Sequence, residues 1–213
     1  KKVVLVDAGV GNLRSVQHAL QSLGAEVLRT SLPEEVGRAS VLVLPGVGSF
    51  GGFMKGLEKT GLVKPIREVA LKGVPLLGIC VGMQDFFEVG LEMGEFPGLG
   101  LLKGRVEPFP DYPGLKIPHT GWNQFRPLRS DPFFKGLEDG GYTYFNHSYT
   151  CNPADRQDVL AETDYGVAFA SIVHQNNLYG VQFHPEKSQR VGLTLLANFL
   201  ELRSEEHTSE LQS

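Results

Sequence analysis

Pro75-Leu76-Leu77-Gly78-Ile79-Cys80-Val81-Gly82-Met83-Gln84 is the stretch on which fold and chemistry both turn. Pro75 to Ile79 is a short apolar run that reads as a buried strand, and Met83-Gln84-Asp85-Phe86-Phe87-Glu88 reads as helix. Strand, sharp turn and helix with a cysteine at the apex give Gly-x-Cys-x-Gly, the thiol counterpart of the Gly-x-Ser-x-Gly nucleophile elbow. Such a turn needs unusual backbone angles and close helix–strand packing, which a Cβ obstructs. A cysteine there faces substrate, and a helix N-terminus favours thiolate over thiol. Taken alone, the pattern also fits a small buried core cysteine, which is what most free cysteines are.

Outward from the elbow, the first half alternates strand and helix. Val3 to Val6 is a buried apolar run bounded by Asp7-Ala8-Gly9. Asn12 is placed to cap a helix carrying Leu13, Val16, Ala19, Leu20 and Leu23 at helical spacing, with Gly24 to end it. Ala25 to Arg29 reads as a second strand, a short helix follows Pro33, and Val41 to Leu44 reads as a third strand leading into a glycine-rich loop, Pro45 to Gly52. Further helical stretches lead to Pro75. This order predicts a parallel sheet with helices on both faces. After Leu99 the strands Gly104–Phe109, Trp122–Arg126, Tyr142–Phe145, Val159–Thr163, Val167–Val173 and Leu178–Phe183 predict mostly antiparallel or mixed sheet added to that core, before a last amphipathic helix over Arg190–Leu202.

The 213 residues, 41% hydrophobic and 21% charged, suffice for one sizeable core. A net charge of −4 without a basic stripe argues against nucleic acid and anionic membrane as partners. No apolar run is long enough to span a bilayer, and Asp7 breaks the short N-terminal run that would otherwise suggest a signal peptide. Two distant cysteines, Cys80 and Cys151, make no disulfide scaffold and point to a reducing cytoplasm.

A cysteine nucleophile needs a base, and the base an orienting partner. His184 follows the apolar strand in Gly180-Val181-Gln182-Phe183-His184-Pro185-Glu186, with Glu186 two positions on. In extended chain those two side chains share a side, and Pro185 stiffens the link. A surface histidine beside a solvated carboxylate is the plainer alternative, but beside an elbow cysteine the pair fills the roles of base and orienter. Gly46-Val47-Gly48 offers backbone N–H groups for an oxyanion. Its extension to Gly51 also matches the dinucleotide pattern Gly-x-Gly-x-x-Gly. Against a dinucleotide stand Pro45 at the entry, Glu68 in a helical stretch, and the loop's place after the third strand. His147 and Cys151 supply too few ligands for a closed zinc site, so no metal is expected.

Together, Cys80 in its elbow and His184-Pro185-Glu186 resemble the triad of the class I (triad) glutamine amidotransferases. Six segments in order, Asp7–Leu13, Pro45–Phe50, Gly78–Gln84, His119–Asn123, Tyr144–Tyr149 and Gly180–Ser188, resemble within that family the glutaminase subunits of histidine biosynthesis, although Ala8 stands where those usually carry a larger residue. The resemblance implies an α/β, flavodoxin-like fold with a central mostly parallel sheet flanked by helices and added antiparallel strands. It implies one domain over 1–202, leaving the polar stretch 203–213 as a non-native-looking tail in which His207 has no role. It implies catalysis by Cys80, His184 and Glu186 without a cofactor, and an oxyanion held by Gly46, Val47, Gly48 and Val81, with a Gly46–Val47 peptide flip completing the hole. Glutamine then rests on Gln84, Glu92, His147, Ser148 and Tyr149, with Gly48. The implied partner is a (β/α)8-barrel cyclase in a heterodimer, where the ammonia reacts with a phosphoribulosyl aminoimidazole carboxamide ribonucleotide to give imidazole glycerol phosphate and an aminoimidazole carboxamide ribotide. Asn12, Trp122, Asn123, Tyr144 and Lys187 are the expected interface, with His119, near Trp122, as a further candidate. The rivals are a glutaminase of the same fold serving another synthase, and a nucleotide-binding module.

Overall fold

The computed structural model describes residues 1–203. The stretch from 204 onward, which holds nearly all of the expected tail, lies outside the described residues. The chain runs through β1 (Lys2–Val6), α1 (Arg14–Ser22), β2 (Glu26–Thr30), α2 (Pro33–Gly37), β3 (Leu42–Gly46), α3 (Phe50–Lys59), α4 (Val63–Leu71) and β4 (Leu76–Cys80). Then follow α5 (Val81–Gln84), β5 (Phe87–Gly90), β6 (Phe96–Pro97), β7 (Leu102–Pro108), β8 (His119–Pro127), β9 (Gly141–His147), β10 (Tyr149–Pro153), β11 (Val159–Tyr165), β12 (Val167–Gln175), β13 (Leu178–Val181) and α6 (Gln189–Leu200). Asn12 contributes just ahead of the first helix: its Oδ1 accepts the Arg14 N–H at 3.1 Å, while Leu13 holds the cap position.

Ten strands lie in the order β2-β1-β3-β4-β13-β12-β10-β7-β5-β6, with β11, β8 and β9 branching from β12. The first five pair in parallel. β1, β3, β4 and β13 are continuous apolar runs, buried almost throughout, as strands covered on both faces must be. The second-half strands are mainly antiparallel, with one consequential exception. β13 pairs antiparallel with β12 on one side and parallel with β4 on the other, with Gly180 opposite Gly78 and Val181 opposite Ile79, and so joins the two halves. The C-terminal ends of β3, β4 and β13 therefore open on one edge, the place where open parallel sheets hold ligands.

β8 and β9 form a ribbon that packs Phe125 and Phe145 against Phe183, ring centroids 5.7 and 5.6 Å apart. All three rings are fully buried. At about 1.5–3 kcal/mol for each buried phenylalanine, this cluster anchors the segment that follows β13.

Candidate active site

Cys80 ends β4 with φ 56° and ψ −114°, a backbone conformation that side chains other than glycine rarely adopt. The structure departs from sequence expectation just beyond it. The helix expected over Met83–Glu88 is a single turn, α5, and by Phe87 the chain has become β5, paired in parallel with β7. Phe86 and Phe87 are both fully buried. A turn into extended chain sends consecutive side chains to opposite sides, so both can be covered. A one-turn helix sums few peptide dipoles, and the dipole argument for a thiolate weakens accordingly.

The charge partner is a side chain instead. His184 follows β13, and its backbone N–H donates to the Tyr144 carbonyl at 2.9 Å. Ser188 Oγ donates to the His184 carbonyl at 2.6 Å and accepts the Tyr144 N–H at 2.9 Å. The imidazole Nδ1 lies 3.2 Å from Glu186 Oε2, and the ring is also hydrogen-bonded to the Cys80 side chain. Burial works against a charged ring, but the hydrogen bonds and charges of Cys80 and Glu186 outweigh it and push His184 up to about 10. The His184–Glu186 pair forms through a 3-10 turn over Pro185–Lys187, not along extended chain as the spacing suggested.

Cys80 and His184 line one cleft of about 280 Å³ together with Val47, Gly48, Val81, Gln84, Glu92, Pro118, Asn146, His147, Ser148 and Tyr149. All the expected substrate-binding positions are thus on its wall. Of the other expected positions, Glu186 sits behind His184, and Gly46 pairs with Cys80 across β3 and β4. Glu92 Oε2 accepts the Phe50 N–H at 3.0 Å, and Ser49 Oγ accepts the Gly52 N–H at 3.1 Å. The start of α3 that a pyrophosphate would occupy is therefore already capped by a carboxylate and a hydroxyl, which argues against the dinucleotide reading.

Sequence reasoning missed Gln182. It is fully buried, accepts from Gln84 Nε2 at 3.2 Å and points its own Nε2 at Cys80 Sγ, 3.8 Å away. The available signal was a lone amide inside an apolar strand, two residues before His184.

Asp85 was also unremarked. It is fully buried, and neither carboxylate oxygen has a hydrogen-bond partner among the described residues. Burial, and then the charge of Glu92, hold its carboxyl well above the usual carboxylate range. In the unfolded chain this acid ionises near pH ~3.9. The fold keeps it neutral, so it lowers stability progressively as pH rises above that point. An Asp85→Asn variant mimics the neutral acid. Its urea midpoint should match wild type near pH 4 and exceed it at pH 8; a gap independent of pH would show that Asp85 is not held neutral.

Trp122 and Tyr144 are cross-strand neighbours on the outer face of the β8–β9 ribbon, with ring centroids 6.1 Å apart. Trp122, Asn12 and Lys187 are exposed. Asn123 and His119 lie on the opposite, inner face. His119 is 3% exposed, so it cannot belong to a partner surface as its nearness to Trp122 in sequence suggested. Its ring is stacked between Phe145 and Tyr165, centroids 4.7 and 4.1 Å away. Burial pulls His119 down to about 4. His147 is pulled down to about 3, by burial first and by the neighbouring His119 and His184, against the raising effect of its bond to Tyr149.

A thiol beside a carboxylate-oriented imidazole, at the mouth of a parallel sheet, is the equipment of acyl transfer from an amide. The glutamine amidotransferase class-I model matches residues 4–202, and the chain belongs to that family. Within it, the chain belongs with the HisH subunits: the imidazole glycerol phosphate synthase subunit HisH of Moorella thermoacetica is 48% identical over 202 residues, 95% of each chain. That of Aquifex aeolicus is 49% identical over 199 residues, 93% of this chain and 95% of the relative. A crystal structure of a glutamine amidotransferase aligns with a TM-score of 0.73 at 24% identity, covering 93% of this chain and 97% of that one, which speaks to the shared fold. Among the described residues no helix is long and apolar enough to cross a membrane.

Proposed function

We propose that the chain is the glutaminase subunit of an imidazole glycerol phosphate synthase, hydrolysing L-glutamine and delivering ammonia to a cyclase subunit. The observation that carries the reading is the meeting of Cys80 and His184 on one cleft, with Glu186 bonded behind the imidazole, in a chain of this family. With Nδ1 committed to Glu186, the other ring nitrogen, Nε2, is left to take the Cys80 proton, and the sulfur becomes a thiolate. The Cys80 thiolate attacks the side-chain amide carbon, and His184 passes its proton to the amine as the C–N bond breaks, leaving a glutamyl thioester and ammonia. His184 then takes a proton from water, whose oxygen attacks the thioester and expels the thiolate, giving glutamate. Val81 N–H and the Gly46-Val47-Gly48 strip hold the oxyanion, each such donor being worth about 3 kcal/mol of barrier. A Gly46–Val47 peptide flip that completes this hole couples turnover to the partner.

Glu92 receives the glutamine ammonium, and Gln84, Gly48, His147, Ser148 and Tyr149 enclose the rest. Residues 1–202 act as one domain. The (β/α)8-barrel cyclase sits on the face bearing Asn12, Trp122, Tyr144 and Lys187, where the exposed Trp122 beside the half-buried Tyr144 makes a natural anchor. The requirement for a reduced thiol supports a cytoplasmic setting.

The test is glutamate release with and without the cyclase and its nucleotide ligand, which should rise when both are added; stimulation only by another synthase's subunit would favour the rival glutaminase. A Glu186→Gln variant keeps the side-chain volume but loses the charge that steadies the imidazolium. Its kcat should fall about 100- to 10,000-fold in the complex with little change in KM. Wild-type turnover in that variant would remove Glu186 from the mechanism.

A further inference from the structure

Three side chains on the inner face of the β8–β9 ribbon and one carbonyl of β10 line up end to end. His119 and His147 stand directly opposite each other on the two strands, His119 Nδ1 lying 2.8 Å from His147 Nε2. At one end Asn123 Nδ2 is 3.2 Å from His119 Nε2, and at the other His147 Nδ1 is 2.9 Å from the Tyr149 carbonyl.

The polarity of this chain follows from its ends. Asn123 Oδ1 accepts the Gln124 backbone N–H at 2.8 Å and Nδ2 donates to the Asp164 carbonyl at 2.9 Å, which fixes the amide's orientation. Nδ2 can only donate, so His119 Nε2 accepts. His119 then carries its proton on Nδ1 and donates to His147 Nε2. That leaves the His147 proton on Nδ1, where it meets the Tyr149 carbonyl. Each ring is neutral and held in one tautomer, and neither nitrogen of His147 is free to act as acid or base.

The place where this chain ends gives it a purpose. His147 closes β9, which among the described residues pairs only with β8, and Tyr149 opens β10, which pairs with β7. Ser148 is the single residue at which the backbone passes from the ribbon into the main sheet. The His147–Tyr149 bond spans that joint, and all three residues line the cleft.

We propose that Asn123 and His119 are positioning residues for glutamine: they lock His147 as its Nδ1–H tautomer and so hold the Ser148–Tyr149 wall of the cleft in place. The proposal rests on reading the cleft as a glutamine site. It also gives Asn123 a task beneath the partner face rather than on it.

The test has two arms. Histidine-ring 15N spectra of the full chain at neutral pH should show His119 and His147 as single Nδ1–H tautomers; Asn123→Ala should turn His119 into a mixture and leave His147 held by the Tyr149 carbonyl alone. In the complex with the cyclase, Asn123→Ala should raise KM for glutamine about ten-fold and leave kcat within about two-fold. His119→Phe, which keeps a ring between Phe145 and Tyr165, should give the same split. A wild-type His147 protonated on Nε2, or an unchanged KM in both variants, overturns the proposal alone. A wild-type complex that does not hydrolyse glutamine overturns the functional reading and the glutamine assignment with it.

Discussion

Cys80→Ala, assayed with the cyclase partner and its ligand, should release glutamate at least about 10,000-fold more slowly than wild type while remaining folded. No other group on the cleft wall replaces a thiolate bonded to His184, so without the sulfur there is no thioester. The same variant reports on the pair itself. With the hydrogen bond and charge of Cys80 gone, burial is opposed only by Glu186, and the imidazole should titrate below its wild-type value of about 10. A second comparison reads the backbone. At φ 56° and ψ −114° a Cβ is strained whether it carries sulfur or hydrogen. Cys80→Gly should therefore be more stable than Cys80→Ala by about 1 kcal/mol, both being inactive. Glutamate release near the wild-type rate in either variant would end the covalent mechanism.

How much of this was legible in the sequence depended on whether the deciding interaction was local. The parallel core was legible because Val3–Val6, Val41–Leu44 and Leu76–Ile79 are apolar runs separated by helical patterns. The return of β13 to that core was not. A four-residue apolar run looks the same in either direction of pairing, and its partner, β4, lies about a hundred residues away. The His184–Glu186 pair was found by way of the wrong geometry, because the turn that Pro185 opens brings the carboxylate round as effectively as a strand would. Gln182 gave little sign of itself, since its meaning lies wholly in Gln84 and Cys80. His119 could have been placed correctly. Three residues from Trp122 on a strand is an odd spacing, and odd spacings point to opposite faces.

These misses share a cause with the site's construction. Each part of it sits where one segment ends against another: β4 at the elbow, β13 at His184, β9 at Ser148. The chemistry therefore depends on how closely backbones approach one another, and one of the tightest such approaches is at Gly82. A Cβ built there falls well inside contact with the Leu44 carbonyl of β3, and one built on Gly46 would lie 2.5 Å from Gly82 N. Leu44 is fully buried in a strand paired on both sides, so it cannot yield. Gly82→Ala must either strain the elbow or push it off β3. Overpacking of this kind costs about 3 kcal/mol or more, against a total stability of roughly 5–15 kcal/mol. For a chain of this length the melting temperature should drop by about 6–12 °C. Any relaxation also carries Cys80 and Val81 away from the Val47–Gly48 strip, so glutamine turnover should fall in the fraction that folds. Gly37→Ala is the matched control: it ends α2, and the nearest atom to its Cβ would be 3.9 Å away. That variant should melt within about 4 °C of wild type, given that Gly→Ala exchanges at sites that accept a Cβ shift stability by only about 0.4–1 kcal/mol. If Gly82→Ala melts with the control and turns over normally, the elbow does not depend on this backbone contact.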